Sequence, residues 1–170
     1  MIRKLLVTGL GTGYLPIAPG SWGSAAVAVL FVLIAWGSGY RADCVSGSMV
    51  VIALAASIIC VALGPFAEKA FGRKDPPQVT IDEWAGQAVT YTLLPLGVGL
   101  SGAVTTAGVG FVVFRILDII KPPPSRQLEK LPDGWGVLLD DLAAGLYANL
   151  ICQVLLRWWM SLDFPFPAQH

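Results

Sequence analysis

Charge is scarce in this chain and histidine is almost missing. Asp, Glu, Lys and Arg make up only 13% of the residues, where soluble domains carry about 25%. Acidic and basic side chains balance at 11 each, so no basic surface is left over for a nucleic acid. The one histidine is His170, the last residue; in a frayed terminus it offers no imidazole for acid–base catalysis. Cys44, Cys60 and Cys152 lack metal-ligand spacing, and the latter two stand inside apolar runs, where a cysteine behaves as a small hydrophobe. Internal repeats, linkers and low-complexity tails are absent as well.

What the chain has instead is long hydrophobic sequence. Hydrophobic residues reach 55% and mean hydropathy is +0.70. Apolar runs lie at about 22–36, 45–66, 84–100, 102–117 and 137–160, against the roughly 20 residues that a membrane-spanning helix needs. The second and last suffice outright, while the first needs Ile17 to Gly20 or a thin membrane edge to help. The third and fourth are glycine-rich and parted only by the turn-like L-G-V-G-L-S-G, which reads as a helical hairpin. The expectation is all-α: one membrane-embedded unit over residues 1–170, a polytopic helical bundle of about five apolar helices. M-I-R-K-L-L-V-T-G-L-G looks like the front of a signal peptide, but the turn-rich stretch after it interrupts the apolar core, so the N-terminus is read as retained.

Charge orients the bundle. With five spans and a cytoplasmic N-terminus, the inner segments hold Arg3, Lys4, Lys69, Arg73, Lys74, Arg115, Lys121, Arg126 and Lys130, while the outer side keeps only Arg41 and Arg157. That is a strong positive-inside bias. Trp22, Trp36, Tyr40, Trp84, Trp135, Trp158 and Trp159 cluster near run ends, as interfacial anchors do. The same threading carries four polar motifs to one cytoplasmic face, and that convergence reads as a site.

Each motif also has a plainer reading. In F-R-I-L-D-I-I-K-P-P-P, Arg115, Asp118 and Lys121 follow one another at i, i+3, i+6, drifting slowly along one helix face before Pro122 to Pro124 stop the helix. They suit a grip on phosphate oxygens with a cation at Asp118, or an ion pair at the membrane interface. Asp82 and Glu83 precede an apolar run, where either serves as a helix cap; two adjacent acids exceed what a cap needs and favour a hard-metal site. Gly86 lets another backbone or a ligand come close. Asp140 and Asp141 point about 100° apart on a helix, one toward the site and the other toward an Arg, a Lys or a second metal. G-L-G-T-G-Y-L-P-I-A-P-G-S-W-G-S lacks the G-K-[ST] ending of a Walker loop. Its free N–H groups, with Ser21 and Ser24 opening the next helix, suit an anion cradle, or a re-entrant turn.

Carboxylates next to lipid-length apolar sequence are costly unless paired, metal-bound or facing water. All-oxygen acidic ligands without His or Cys point to magnesium or manganese rather than zinc, and convergent Arg and Lys turn the reading toward phosphoryl chemistry. A Cys-x5-Arg loop and an aspartyl-phosphate Asp-x-Asp pair are both missing, which favours attack by a water that the metal activates. A small ion-coupled transporter is the first alternative, but it predicts acids at mid-span and a repeat. A lipid phosphotransferase needs a D-G-x2-A-R…G-x3-D-x3-D signature that is absent. A non-catalytic membrane assembly protein would not require the acids. No protein partner is evident.

Together these motifs resemble the phosphatidylglycerophosphatase A family of bacterial membrane phosphatases. The likeness runs from about Gly9 to Ala148 and rests on four ordered blocks: G-L-G-T-G-Y-L-P-I-A-P-G-S-W-G-S, I-D-E-W-A-G, F-R-I-L-D-I-I-K-P-P-P and G-W-G-V-L-L-D-D-L-A-A-G. Ser21 stands where the family usually has threonine, and the hydroxyl survives. The resemblance implies magnesium-dependent removal of the terminal phosphate of phosphatidylglycerophosphate, giving phosphatidylglycerol at the inner leaflet of the bacterial inner membrane. Matched by motif, it assigns Asp82, Glu83, Asp118, Asp140 and Asp141 to metal binding and water activation. Arg115 and Lys121 would hold phosphate, supported by Ser21, Ser24 and the Gly20 backbone. Which carboxylate is the base and which only ligates stays open.

Overall fold

A computed structural model describes residues 1–74, 76–128, 131 and 134–162. His170 and Lys130 lie outside the described residues. Among the described residues every regular element is helical: α1 (Ile2–Val7), a 3-10 turn (Thr12–Tyr14), α2 (Pro19–Gly37), α3 (Ala42–Phe71), α4 (Ile81–Thr90), α5 (Gly99–Ile120), α6 (Ser125–Leu128) and α7 (Trp135–Ser161). Four of them, α2, α3, α5 and α7, are long and apolar enough to cross a membrane. α2 reaches that length because Pro19, which has no N–H to lose, stands inside its first turn, so residues upstream of the apolar run do lengthen it.

The packing runs opposite to that of a water-soluble bundle. Small side chains are buried, among them Ala35, Ala53, Ala85, Ala88, Ala103, Ala107, Ala144 and Ala148, while Val29, Leu33, Leu54, Ile58, Val104, Val112, Leu150 and Val154 point outward. Small residues let helix backbones approach where lipid supplies no hydrophobic drive, and the large apolar ones are left for lipid. Trp22, Trp36, Trp135, Trp158 and Trp159 are exposed near helix ends as expected. Trp84 is not an anchor: it is buried, because α4 is packed inside the bundle and contacts α2, α3, α5 and α7.

The third apolar run departs from a plain helical hairpin. Its helix, α4, covers only ten residues, about 15 Å, and the chain then continues without regular structure to α5. Pro95, Gly97 and Gly99 sit in that stretch, and Leu93 adopts a left-handed φ of 56°, so no helix continues through it. A broken helix at membrane depth needs partners for its last carbonyls. Asn149 Nδ2 donates to the carbonyls of Thr90 (2.9 Å) and Thr92 (2.6 Å), Gln153 Nε2 donates to that of Leu93 (2.7 Å), and Thr106 Oγ1 donates to that of Pro95 (3.3 Å). The Leu93 N–H donates to Ser46 Oγ (3.1 Å), close to the start of α3. The run therefore still passes from one end of the bundle to the other, half as helix and half as tethered irregular chain.

Five passages leave the starts of α2, α4 and α7 and the ends of α3 and α5 at the same end. α1 and the 3-10 turn close over it, tied by the Thr80 N–H to the Val7 carbonyl (3.1 Å) and by Thr12 Oγ1 to Thr80 Oγ1 (3.0 Å).

Candidate active site

At that end the helices enclose a polar cleft of about 320 Å³, a size that suits a small headgroup. Its lining includes Pro19, Gly20 and Ser21 from α2, Asp82 and Glu83 from α4, Arg115 and Asp118 from α5, and Val137, Asp140 and Asp141 from α7. Lys121 and the connection between α3 and α4 complete the wall. Of the residues assigned from sequence, all but Ser24 face this one space.

The acids arrive there by helix geometry. Asp82 and Glu83 occupy the first turn of α4, with Thr80 as N-cap. The Thr80 side chain makes no capping hydrogen bond, and the helix dipole favours the charge of the two acids in this first turn, both of which line the cleft. Asp140 and Asp141 stand one turn into α7, and Asp82, Asp140 and Asp141 are all buried. A Cβ on Gly86 would come within 2.6 Å of the Asp141 carbonyl, and one on Gly145 would overlap the Gly86 carbonyl. The two glycines thus allow α4 and α7 to touch backbone to backbone, which brings both acidic pairs together.

Three of the carboxylates form a tighter group. Asp118, Asp140 and Asp141 each offer an oxygen, and these lie within 4.8 Å of one another. Such crowding is repulsive unless positive charge stands among the oxygens, and an all-carboxylate donor set suits a hard divalent cation. Charge balance agrees: five acids in the lining face Arg73, Arg115 and Lys121, an excess that one divalent cation would neutralise.

The cations have definite places. Arg115 pairs with Glu83 and reaches Asp118 Oδ2 at 3.1 Å, so the i, i+3 relation seen in sequence is realised. α5 ends at Ile120, and Lys121 adopts a left-handed φ of 51°. That turn takes it off the helix face and onto Asp140, with which it forms an ion pair. Ser24 is completely buried and stands behind the cleft: its hydroxyl lies 3.0 Å from Glu83 Oε2 and 3.4 Å from Arg115 Nη1. It holds Glu83 rather than a ligand. Glu83 itself lies outside the three-oxygen group. Gly20 is needed for space, since a Cβ there would overlap the Glu83 carboxylate and approach Arg115 at 3.5 Å. Near the start of α2, the Gly20 and Ser21 N–H groups have no helical acceptor and border the cleft, as an anion cradle requires.

Arg73, Pro76, Pro77, Val79 and Val137 line the cleft too and were missed as site residues. The signal for Arg73, Pro76 and Pro77 is the polar R-K-D-P-P stretch, which says nothing about where that connection folds, and Val137 stands inside the G-W-G-V-L-L-D-D-L-A-A-G block without a polar group to mark it.

Comparison with known proteins gives the chain its family. Residues 5–156 match the model of the family described as phosphatidylglycerophosphatase A. The chain is 33% identical over 161 residues to a phosphatidylglycerophosphatase A of Haemophilus influenzae, covering 92% of this chain and 89% of that one. It is 31% identical to the phosphatidylglycerophosphatase A of Escherichia coli K12, over 91% of this chain and 84% of the relative. A Bacteroides thetaiotaomicron protein named putative phosphatidylinositol-3-phosphatase is 30% identical, over 91% of this chain and 92% of its own. No solved structure matches the chain significantly. With a family match across nearly its whole length and relatives above 30% identity on both sides of the alignment, this membrane-helical chain belongs to the phosphatidylglycerophosphatase A family.

Proposed function

We propose that the protein is a magnesium-dependent phosphatase that hydrolyses the terminal phosphate monoester of phosphatidylglycerophosphate, yielding phosphatidylglycerol and inorganic phosphate. The observation that carries this reading is the three-carboxylate group of Asp118, Asp140 and Asp141, set in one cleft with Arg115, Lys121 and the start of α2. A magnesium ion held by those three carboxylates would supply Lewis-acid charge to the phosphoryl group and acidify an attacking water. Arg115 and Lys121 stabilise charge that builds on the phosphoryl oxygens in the transition state, and the Gly20 and Ser21 N–H groups orient them. Asp82 and Glu83 complete the acidic wall, which would take the proton from the attacking water and return it to the glycerol oxygen as the phosphorus–oxygen bond breaks, so that the product leaves as the alcohol. The positive-inside rule, applied to the basic residues at this end, turns the cleft toward the cytoplasm of the bacterial inner membrane.

The test is phosphate release from phosphatidylglycerophosphate by detergent-purified protein, with magnesium and with EDTA. Magnesium-dependent release is expected, and Asp141→Asn should reduce it by about two orders of magnitude or more in a protein that still elutes as a folded species. Full activity in EDTA, or in Asp141→Asn, would sink the metal-site reading. The Bacteroides relative's name favours a second substrate, so phosphatidylinositol 3-phosphate belongs in the same assay; preferential release from it would move the headgroup assignment and leave the chemistry intact.

A further inference from the structure

We infer that Arg73 binds the second, non-reacting phosphate of the lipid substrate: the phosphodiester that joins headgroup to diacylglycerol. This rests on the phosphatase reading above and deepens it. Phosphatidylglycerophosphate carries a terminal monoester and this diester, so its cleft needs cationic groups for both.

Three observations separate Arg73 from the other cations. Arg115 is engaged by Glu83 and Asp118 and Lys121 by Asp140, so both are held at the carboxylates where the monoester reacts. Arg73 lines the same cleft and is exposed, yet among the described residues it has no carboxylate within ion-pair distance. Its guanidinium is thus available to a ligand, and Arg presents the planar donor fork that suits phosphate oxygens.

Position gives the direction of binding. Gly72, with a φ of 73°, ends α3 in a left-handed cap and turns Arg73 away from the helix. The connection that follows carries Pro76 and Val79, which with Val137 form a wall shared by the polar cleft and a neighbouring apolar recess. Val7, Cys60, Gly64, Ala67, Ile81 and Gly134 make up the rest of that recess near the end of α3, with Glu68 as a charged residue at its wall. A lipid with its terminal phosphate at the carboxylates and its glycerol backbone toward the recess places its diester beside the α3–α4 connection, where Arg73 stands. Of the connection's residues that line the cleft, Pro76 and Pro77 have no N–H to offer a phosphate and the Val79 N–H donates to the Pro76 carbonyl, which leaves the arginine as the donor there.

The experiment is steady-state kinetics on short-chain phosphatidylglycerophosphate with wild type, Arg73→Gln and Arg73→Lys. Two inhibitors are added: short-chain phosphatidylglycerol, which carries only the diester, and inorganic phosphate, which mimics only the monoester. Arg73→Gln should raise KM and weaken inhibition by phosphatidylglycerol by about 10- to 100-fold, with kcat and inhibition by inorganic phosphate within about twofold; Arg73→Lys should recover part of the loss. Equal weakening of both inhibitors, no weakening of either, or a wild type that phosphatidylglycerol does not inhibit would overturn the assignment while leaving the phosphatase standing. A wild type that releases no phosphate from the lipid would remove both readings together.

Discussion

Individual residues here divide into those that shape the cleft and those that hold the bundle, and glycine shows the division most clearly. A Cβ at Gly20 would overlap the tip of Glu83, a flexible side chain that can move aside. Gly20→Ala should therefore barely change the melting temperature but pull Glu83 off Arg115 and lower phosphatase activity by about tenfold or more. A Cβ at Gly86 would meet the Asp141 backbone instead, which cannot yield without separating α4 from α7. Gly86→Ala should destabilise the protein by about 1–3 kcal/mol, read as a lower unfolding temperature in detergent, and lose activity as a consequence. Lys121→Ala should leave the fold intact and reduce kcat/KM by about 10- to 100-fold, because it removes charge at Asp140 rather than packing.

Among elements, the half-helix α4 is the most informative. It exists because an apolar run of spanning length is interrupted by residues that cannot continue a helix, and because α7 supplies amide side chains to its open end. Asn149 reaches the carbonyls of both Thr90 and Thr92, so one side chain caps two of the carbonyls the break leaves open. Asn149→Leu should cost about 1–2 kcal/mol. Asn149→Asp, which removes the donors and adds charge opposite carbonyls, should cost more; chemical denaturation in a fixed detergent would rank them. The ten-residue length of α4 also serves the site, since a short buried helix presents Asp82 and Glu83 at its start while four longer helices surround it.

For the whole molecule, orientation is the testable property. Cys60 and Cys152 are buried, whereas Cys44 is exposed near the start of α3, at the end opposite the cleft. With the cleft facing the cytoplasm, a membrane-impermeant maleimide should label Cys44 in intact spheroplasts. Lys74→Cys, at the cleft end, should be labelled only after permeabilisation. The reverse pattern would place the cleft on the outer face and contradict the charge argument.

Membrane-spanning helices, the number of apolar runs and the acids that share the cleft were legible in the sequence because they depend on local or additive physics. Hydropathy sums over a run, positive charge sorts by side, and Arg115 with Asp118 is close in any helix. Even the shared face of the four motifs followed from counting passages. What only the tertiary structure decided concerns groups far apart in sequence. Ser24 turned out to orient Glu83, 59 positions away, and Trp84 turned out to be core, because α4 lies inside the bundle. Arg73 joined the cleft because Gly72 redirects the chain beyond α3, and Lys121 left its helix face through a backbone turn to reach Asp140. Such pairings are set by helix contacts of the Gly86–Gly145 kind, where backbone approach depends on both partners at once. A single stretch of sequence specifies its own span; only the packed bundle specifies which side chains meet.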